Sequence, residues 1–139
     1  MSASESETME QVKGTEAVNR GRVLVVDDED YVRSILRGML EKMGFEAVEA
    51  EDGDKGLAAF NAEDGQIVAC VIDLTMPGMA GMELLDHIRC LDDKVPVLLV
   101  SGYSRHEVRQ QEAKSTNISF LQKPFTMEQF QKAMESQLT

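Results

Sequence analysis

Short apolar runs alternate with longer amphipathic stretches from residue 22 onward. Three of these runs are almost continuously hydrophobic, as is typical of parallel strands that are covered on both faces. The five runs are VLVV (23–26), FEAVEA (45–50), IVACVI (67–72), VPVLLV (95–100) and ISFL (118–121). We interpret them as five β-strands.

The stretches between these runs carry apolar residues at helical spacing. The first predicted helix has its apolar positions at Val32, Ile35, Leu36, Met39, Leu40 and Met43. Gly44 supplies its stop. Asp52 is placed to cap a second helix, which directs Leu57 and Phe60 inward. The third helix is marked by Leu84, Leu85, Ile88 and Leu91.

Two capping-box pairs predict the starts of two further helices. Ser104 with Glu107 begins the fourth, and Thr126 with Gln129 begins the fifth. The fifth has a good apolar stripe, made by Phe130, Ala133, Met134 and Leu138. The fourth has a poor stripe, so we expect it to be the most loosely held helix.

Five strand-then-helix units predict a doubly wound α/β fold, with a five-stranded parallel sheet, five helices and right-handed crossovers. Ligands of such sheets bind outside the carboxyl ends of the strands. Residues 1–20 are rich in Ser, Glu and Thr and are predicted to form a flexible tail or linker. Residues 21–139 are predicted to form the folded domain.

Composition narrows the functional classes. With 25 acidic and 14 basic residues the net charge is −11, which weighs against direct binding of nucleic acid. Cys70 and Cys90 lack metal-ligand or redox spacing and indicate reduced thiols. Neither a secretory signal nor an apolar run of membrane-spanning length is present in the sequence, so we expect a cytoplasmic protein with no membrane contact.

Polar side chains end four of the five apolar runs. Asp27 and Asp28 follow the first run, Asp73 the third, Ser101 the fourth, and Lys123 the fifth. Each ending taken alone is an ordinary solvated strand end. Because the carboxyl ends of parallel strands meet at one edge, the four endings together predict a single site.

The three aspartates at this edge indicate a cation site. Like charges at close range raise the pKa of one partner unless something compensates them. Mg²⁺ suits the site, because it takes a few carboxylate oxygens, keeps waters and binds phosphate. Glu29 and Asp30 have another explanation, as negative charges at the amino end of the first helix.

The same groups are suited to phosphoryl transfer. A carboxylate can attack phosphorus and form an acyl phosphate. Charge alone does not choose among the aspartates, but Asp73, the lone acid at its strand end, is the better candidate by position. Lys123 would neutralise phosphoryl oxygens and Ser101 would donate a hydrogen bond, with open space at Gly102.

The motifs VLVVDDE, VIDLTMPGMAG, LLVSGY and FLQKPF occur in this order along the chain. In these motifs the sequence resembles the receiver domain of response regulators in bacterial two-component signalling, over roughly residues 20–139. The resemblance implies a flavodoxin-like fold with strand order 2-1-3-4-5. It also implies a cis peptide between Lys123 and Pro124.

The resemblance also implies roles for the acids. Asp73 would be the phosphoacceptor. Asp28 would bind Mg²⁺ directly and Asp27 through water, and the backbone carbonyl of Thr75 would complete the protein ligands.

Three further residues would form the switch. Ser101 would be the switch hydroxyl, Lys123 would face the phosphoryl group, and Phe120 would be the aromatic whose rotamer reports activation. Ser101 stands where threonine is common in the family, and Phe120 where tyrosine is common.

The implied function is a phosphoacceptor switch without turnover of an outside substrate. Phosphate would come from a histidine kinase or phosphotransfer protein, and output would pass to an unknown protein partner, with a homodimer left open. A receiver cut from a hybrid histidine kinase is an alternative, as is a docking module that is never phosphorylated. A small magnesium-dependent phosphatase is disfavoured, because only Glu128 and Glu135 follow Lys123 as possible further metal ligands.

Overall fold

A computed structural model of the chain describes residues 19–74, 81–102 and 117–138. Its five strands are β1 (Arg22–Val26), β2 (Glu46–Ala50), β3 (Ile67–Asp73), β4 (Val97–Ser101) and β5 (Ile118–Gln122). The helices of the described part are α1 (Asp30–Lys42), α2 (Gly53–Ala62), α3 (Gly81–Leu91) and α4 (Met127–Leu138). The predicted fourth helix and the tail at residues 1–18 lie outside the described residues, so α4 corresponds to the fifth predicted helix.

The five strands form one parallel sheet in the order β2-β1-β3-β4-β5. This confirms the predicted doubly wound fold and its strand order. The order reverses between β1 and β3, which are hydrogen-bonded neighbours in the middle of the sheet. The carboxyl ends of β1 and β3 therefore lie side by side, where ligands of such sheets bind.

Helices cover both faces of the sheet, so the core has two layers. Along β1, Leu24 and Val26 point to the layer that holds α2 and α3, while Val23 and Val25 point to the layer that holds α1 and α4. All four side chains are at most 1% exposed. A strand buried on both faces carries apolar residues along its length, so after Arg22 at its start the next polar residue is Asp27, directly past its end.

The helix boundaries follow the capping signals. The Asp52 side chain accepts a hydrogen bond from the Lys55 N–H at 2.8 Å and caps α2. Thr126 and Gln129 exchange two hydrogen bonds, of 2.8 and 3.1 Å, at the start of α4. Gly44 has a φ of 94°, which suits glycine at the end of α1.

Two apolar residues lie differently from their helical pattern. Ile35 is 40% exposed and Leu91 is 53% exposed, although both were predicted on buried faces. Leu91 is the last residue of α3, where the helix runs past the edge of the core. Leu36 and Leu40 are the buried apolar residues of α1 and pack on the sheet, whereas Ile35 lines a crevice that is open to solvent.

Candidate functional site

The ends of β1 and β3 bring three carboxylates together. Ligand oxygens of Asp27, Asp28 and Asp73 all lie within 4.8 Å of one another. Asp27 is 0% exposed and Asp73 is 2% exposed, whereas Asp28 is exposed. The cluster is thus closed by protein on one side and open to water at Asp28.

Lys123, which follows β5, reaches the same cluster. Its Nζ lies 3.2 Å from Asp27 Oδ2 and 3.4 Å from Asp73 Oδ2. The peptide bond that follows, to Pro124, is cis, as the resemblance implied. The lysine also borders an apolar crevice of about 230 Å³ that is lined by Val32, Ile35, Leu36, Met39, Pro124 and Phe125. An apolar wall along the side chain, with acids at its tip, is a favourable arrangement for a partly buried lysine.

The charges in this cluster perturb one another. Burial raises the pKa of the Asp27 carboxyl, and the charge of Asp73 adds to the rise, while the Glu29 N–H and Lys123 oppose it. For Lys123, burial lowers the pKa, but the charges of Asp73 and Asp27 outweigh that effect and the pKa is raised. Lys123 is thus charged, and the carboxylates of Asp27 and Asp73 both attract it.

The turn after β1 is held by hydrogen bonds to Asp27. Asp27 Oδ1 accepts from the Glu29 N–H at 2.9 Å, and the Asp27 carbonyl accepts from Arg33 Nη1 at 2.6 Å. The contact from Arg33 was not predicted. The sequence does contain a sign of it: Arg33 is spaced to lie on the same face of α1 as the buried Leu36 and Leu40.

Ser101 and Gly102 lie at the same edge of the sheet, whereas Phe120 lies in the middle of β5. Ser101, the last residue of β4, is 0% exposed, and its carbonyl accepts from the Lys123 N–H at 2.8 Å. A Cβ added at Gly102 would meet no atom within 4 Å, which agrees with the open space expected there. Phe120 lies on β5 opposite Leu99 and is 8% exposed, in the core layer beneath α2 and α3.

Thr75, which the resemblance implies as the source of a carbonyl ligand, lies outside the described residues, as do Tyr103 and His106. His87 is exposed on α3. Cys70 is fully buried, and burial raises the pKa of its thiol to about 12, which makes it an unreactive core residue.

The donor set fits Mg²⁺. The ion prefers oxygen ligands, binds through one or two carboxylates, and keeps several waters. Three carboxylates with one exposed member provide those oxygens and a path for water. Zn²⁺ would favour nitrogen and sulfur ligands, and neither His nor Cys is part of this cluster of described residues.

A doubly wound parallel sheet with acids and a lysine at the carboxyl ends of its strands defines a class of domain whose ligand site lies at those ends. Comparison with known proteins makes the class specific. The model of the response regulator receiver domain family matches residues 23–135. The chain belongs to this family, the receiver domains of two-component systems.

Relatives and solved structures agree with this assignment. The chain is 33% identical to the chemotaxis protein CheY-3 of Vibrio cholerae, over 76% of this chain and 82% of that protein. The structure of the receiver domain of the hybrid histidine kinase CckA is 34% identical, with a TM-score of 0.73, over 86% of this chain and 100% of that chain. The response regulator TrrA of Thermotoga maritima, solved in complex with Mg(2+)-BeF, is 27% identical, with a TM-score of 0.75, over 85% of this chain and 99% of that chain.

Other relatives are much longer proteins. The chain spans only 23% to 56% of the length of three further curated relatives that it matches. Within the described residues, none of the helices has the length and apolar character needed to cross a bilayer.

Proposed function

We propose that this receiver domain is a phosphoryl-accepting switch in a two-component phosphorelay, with Asp73 as the acceptor. The observation that supports this is the position of Asp73, whose carboxylate shares the cluster with Asp27 and Asp28 and lies 3.4 Å from Lys123 Nζ. A nucleophile surrounded by groups that neutralise phosphoryl oxygens is what phosphoryl transfer requires.

In the proposed reaction, a carboxylate oxygen of Asp73 bonds to phosphorus while the P–N bond of a phosphohistidine on the donor protein breaks. The imidazole nitrogen leaves with the electron pair and takes up a proton. Lys123 offsets charge on the equatorial oxygens, and Ser101 donates a hydrogen bond to one of them. The donor protein would be a histidine kinase or a phosphotransfer protein.

We assign Mg²⁺ to the carboxylates of Asp27, Asp28 and Asp73, with the Thr75 carbonyl as a further ligand. The bound ion supplies charge that stabilises the phosphoryl oxygens during transfer. Asp28 is the exposed acid and is suited to direct coordination, while the buried Asp27 is already engaged by Lys123 and the Glu29 N–H.

Acetyl phosphate with Mg²⁺ tests the proposal without a protein donor. We expect one phosphoryl group per chain, seen by intact-mass spectrometry and removed by hydroxylamine, which cleaves acyl phosphates. Asp73→Asn should abolish incorporation, whereas Asp86→Asn, at an exposed position of α3, should leave it unchanged. A wild-type chain that takes up no phosphate would instead favour a docking module that works without phosphorylation.

We further propose that the domain does not turn over outside phosphomonoesters. Asp28-Glu29-Asp30 after β1 resembles the Asp-x-Asp opening of a class of magnesium-dependent phosphatases. Those enzymes hold Mg²⁺ with further acids, which in this chain would have to come after Lys123. Glu128 lies exposed on α4, and Glu135 pairs with Arg20 at 2.7 Å. Steady release of phosphate from p-nitrophenyl phosphate, abolished by Asp73→Asn, would contradict this proposal.

We propose that the signal leaves through Phe120. Phosphorylation would draw Ser101 inward, let Phe120 follow, and repack the face formed by the predicted fourth helix, β5 and α4 for a downstream protein in the cytoplasm. The buried position of Phe120, beside β4, supports the coupling. NMR spectra with beryllofluoride and Mg²⁺ test it, because unchanged Phe120 resonances would exclude this route.

A second setting is favoured by one comparison. The receiver domain of the hybrid histidine kinase CckA is covered over its whole length. The same switch could therefore serve as one module of a longer kinase. The full-length reading frame distinguishes this setting from a free-standing regulator.

A further inference from the structure

Arg33 is a charged residue on the buried side of α1. It is only 9% exposed, although most arginines lie at the surface. Removing a guanidinium from water is unfavourable unless its donors are satisfied, so the contacts that Arg33 makes must compensate for its burial.

The guanidinium contacts three different segments of the chain. Nη1 donates to the Asp27 carbonyl at 2.6 Å, Nη2 pairs with Asp30, and Nε lies 3.3 Å from Glu49 Oε1 on β2. Glu49 Oε2 also pairs with Arg37, at 2.7 Å. Two arginines and two acids make this network neutral overall.

We infer that Arg33 is a positioning residue that holds the turn 27–29 in place for the divalent cation. This inference rests on the proposed function. Without a cation, three carboxylates face a single ammonium from Lys123, and their repulsion favours spreading of the turn. Arg33 opposes that movement, because it binds the carbonyl of the peptide that joins Asp27 to Asp28.

Among the three acids, Asp28 depends most on the turn being held in place by Arg33. Its side chain is exposed, so the position of its carboxylate depends on the backbone that carries it. The hydrogen bond from Arg33 fixes the peptide before Asp28, and the bond from the Glu29 N–H to Asp27 Oδ1 fixes the peptide after it. Outer contacts of this kind commonly decide how well a metal site is organised.

The positive charge of Arg33 acts in the opposite sense, because a cation near the site repels Mg²⁺. A test must therefore keep a positive charge at position 33 and remove the set of contacts that the guanidinium makes. Arg33→Lys does this, since one ammonium cannot reach Asp27, Asp30 and Glu49 together. Arg37→Lys is the matched control, on the next turn of the same helix and in contact with Glu49.

We expect Arg33→Lys to weaken Mg²⁺ binding by about tenfold in calorimetry on the full chain. Arg37→Lys should stay within about twofold of the wild type. With acetyl phosphate, Arg33→Lys should raise the half-saturating Mg²⁺ concentration to the same extent and recover a near wild-type rate at saturation. A merely structural role would lower the unfolding temperature and leave this concentration unchanged.

An Mg²⁺ affinity of Arg33→Lys equal to that of the wild type would overturn the inference. If circular dichroism shows that this variant does not fold, Glu49→Asp decides, because it keeps the charge but shortens the reach to Arg33 Nε and should weaken binding in the same direction. Wild-type protein that binds no Mg²⁺ would instead remove the metal from the proposed function. The two failures are therefore distinguishable.

Discussion

Asp27 and Asp28 are neighbours in the chain with opposite environments. Asp27 is fully buried against Lys123 and the turn, while Asp28 faces water. Both acids follow the end of β1 at Val26, but the Glu29 N–H and Lys123 hold only the Asp27 carboxylate against the protein. Burial therefore disfavours the ionised form of Asp27.

The raised pKa of Asp27 makes the stability of the cation-free protein depend on pH. A carboxyl with a folded pKa above its ordinary value of 3.8 favours folding when it is protonated, and this contribution is lost as pH rises through the folded pKa. The ionised Asp27 is therefore destabilising at neutral pH. Asp27→Asn removes the charge and keeps an oxygen for the Glu29 N–H.

We expect Asp27→Asn in EDTA to unfold at a higher temperature than wild type at pH 7. The difference should shrink as pH falls through the raised pKa of Asp27, because the wild-type carboxyl then takes up a proton. Asp86→Asn, at an exposed position of α3, serves as control and should show no such trend. A variant less stable than wild type at pH 7 would mean that attraction to Lys123 outweighs burial.

At the scale of elements, the apolar pattern was sufficient to predict five strands and their order of occurrence. Each observed strand overlaps its predicted run, with shifts of a residue or two at the ends. The largest shift is in β4, which begins at Val97, one residue after Pro96. Proline has no N–H to donate to a ladder, so a run that contains it is shortened.

The sequence could not show contacts that depend on distance in three dimensions. Arg33 contacts the turn after β1, its own helix and β2. Asp30 lies three residues before it on α1, but the contacts with the Asp27 carbonyl and with Glu49 follow no spacing in the sequence. The order of the strands, too, came from the resemblance rather than from periodicity. Local patterns determine elements, whereas packing determines which side chains meet.

The first residue of α3, Gly81, lies against the backbone at the end of β3, the strand that carries Asp73. A Cβ added at Gly81 would lie 2.4 Å from the Asp73 carbonyl oxygen and 2.8 Å from Leu74 Cα. We expect Gly81→Ala to cost about 1–3 kcal/mol of unfolding free energy, because backbone must move to admit the methyl group. It should also slow labelling by acetyl phosphate, because the backbone that moves carries Asp73.

Gly38→Ala on α1 is the matched control for urea unfolding. A Cβ added there meets nothing within 4 Å. Since alanine is favoured over glycine inside a helix, this variant should gain about 0.5–1 kcal/mol. Equal stabilities for the two variants would show that α3 can shift away from β3 without cost.

For the whole molecule, the net charge of −11 places the acid cluster in a chain that already repels itself. A bound divalent cation reduces both the local and the overall repulsion. Because the unfolded chain has no assembled cluster, Mg²⁺ should bind the folded state selectively and stabilise it.

We expect free Mg²⁺ at 100 times its dissociation constant to add about 2.7 kcal/mol to the free energy of unfolding. Sodium chloride at equal ionic strength separates this effect from general screening. Asp28→Asn should remove most of the gain, since Asp28 is exposed and its replacement leaves the packing intact. A gain of the same size in Asp28→Asn would place the stabilising ion elsewhere.

The strand order places the acids on the inner part of the sheet. Asp27 and Asp28 follow β1, and Asp73 is the last residue of β3. Both strands have hydrogen-bonded neighbours on both sides, whereas β2 and β5 form the borders of the sheet. Amide hydrogens of the inner pair should exchange with deuterium only on global opening, while border strands can fray. Local unfolding of β1 or β3 therefore cannot relieve the repulsion among the acids. Among the strands that position the site, β5 can deform most easily, because it is the border strand that Lys123 directly follows.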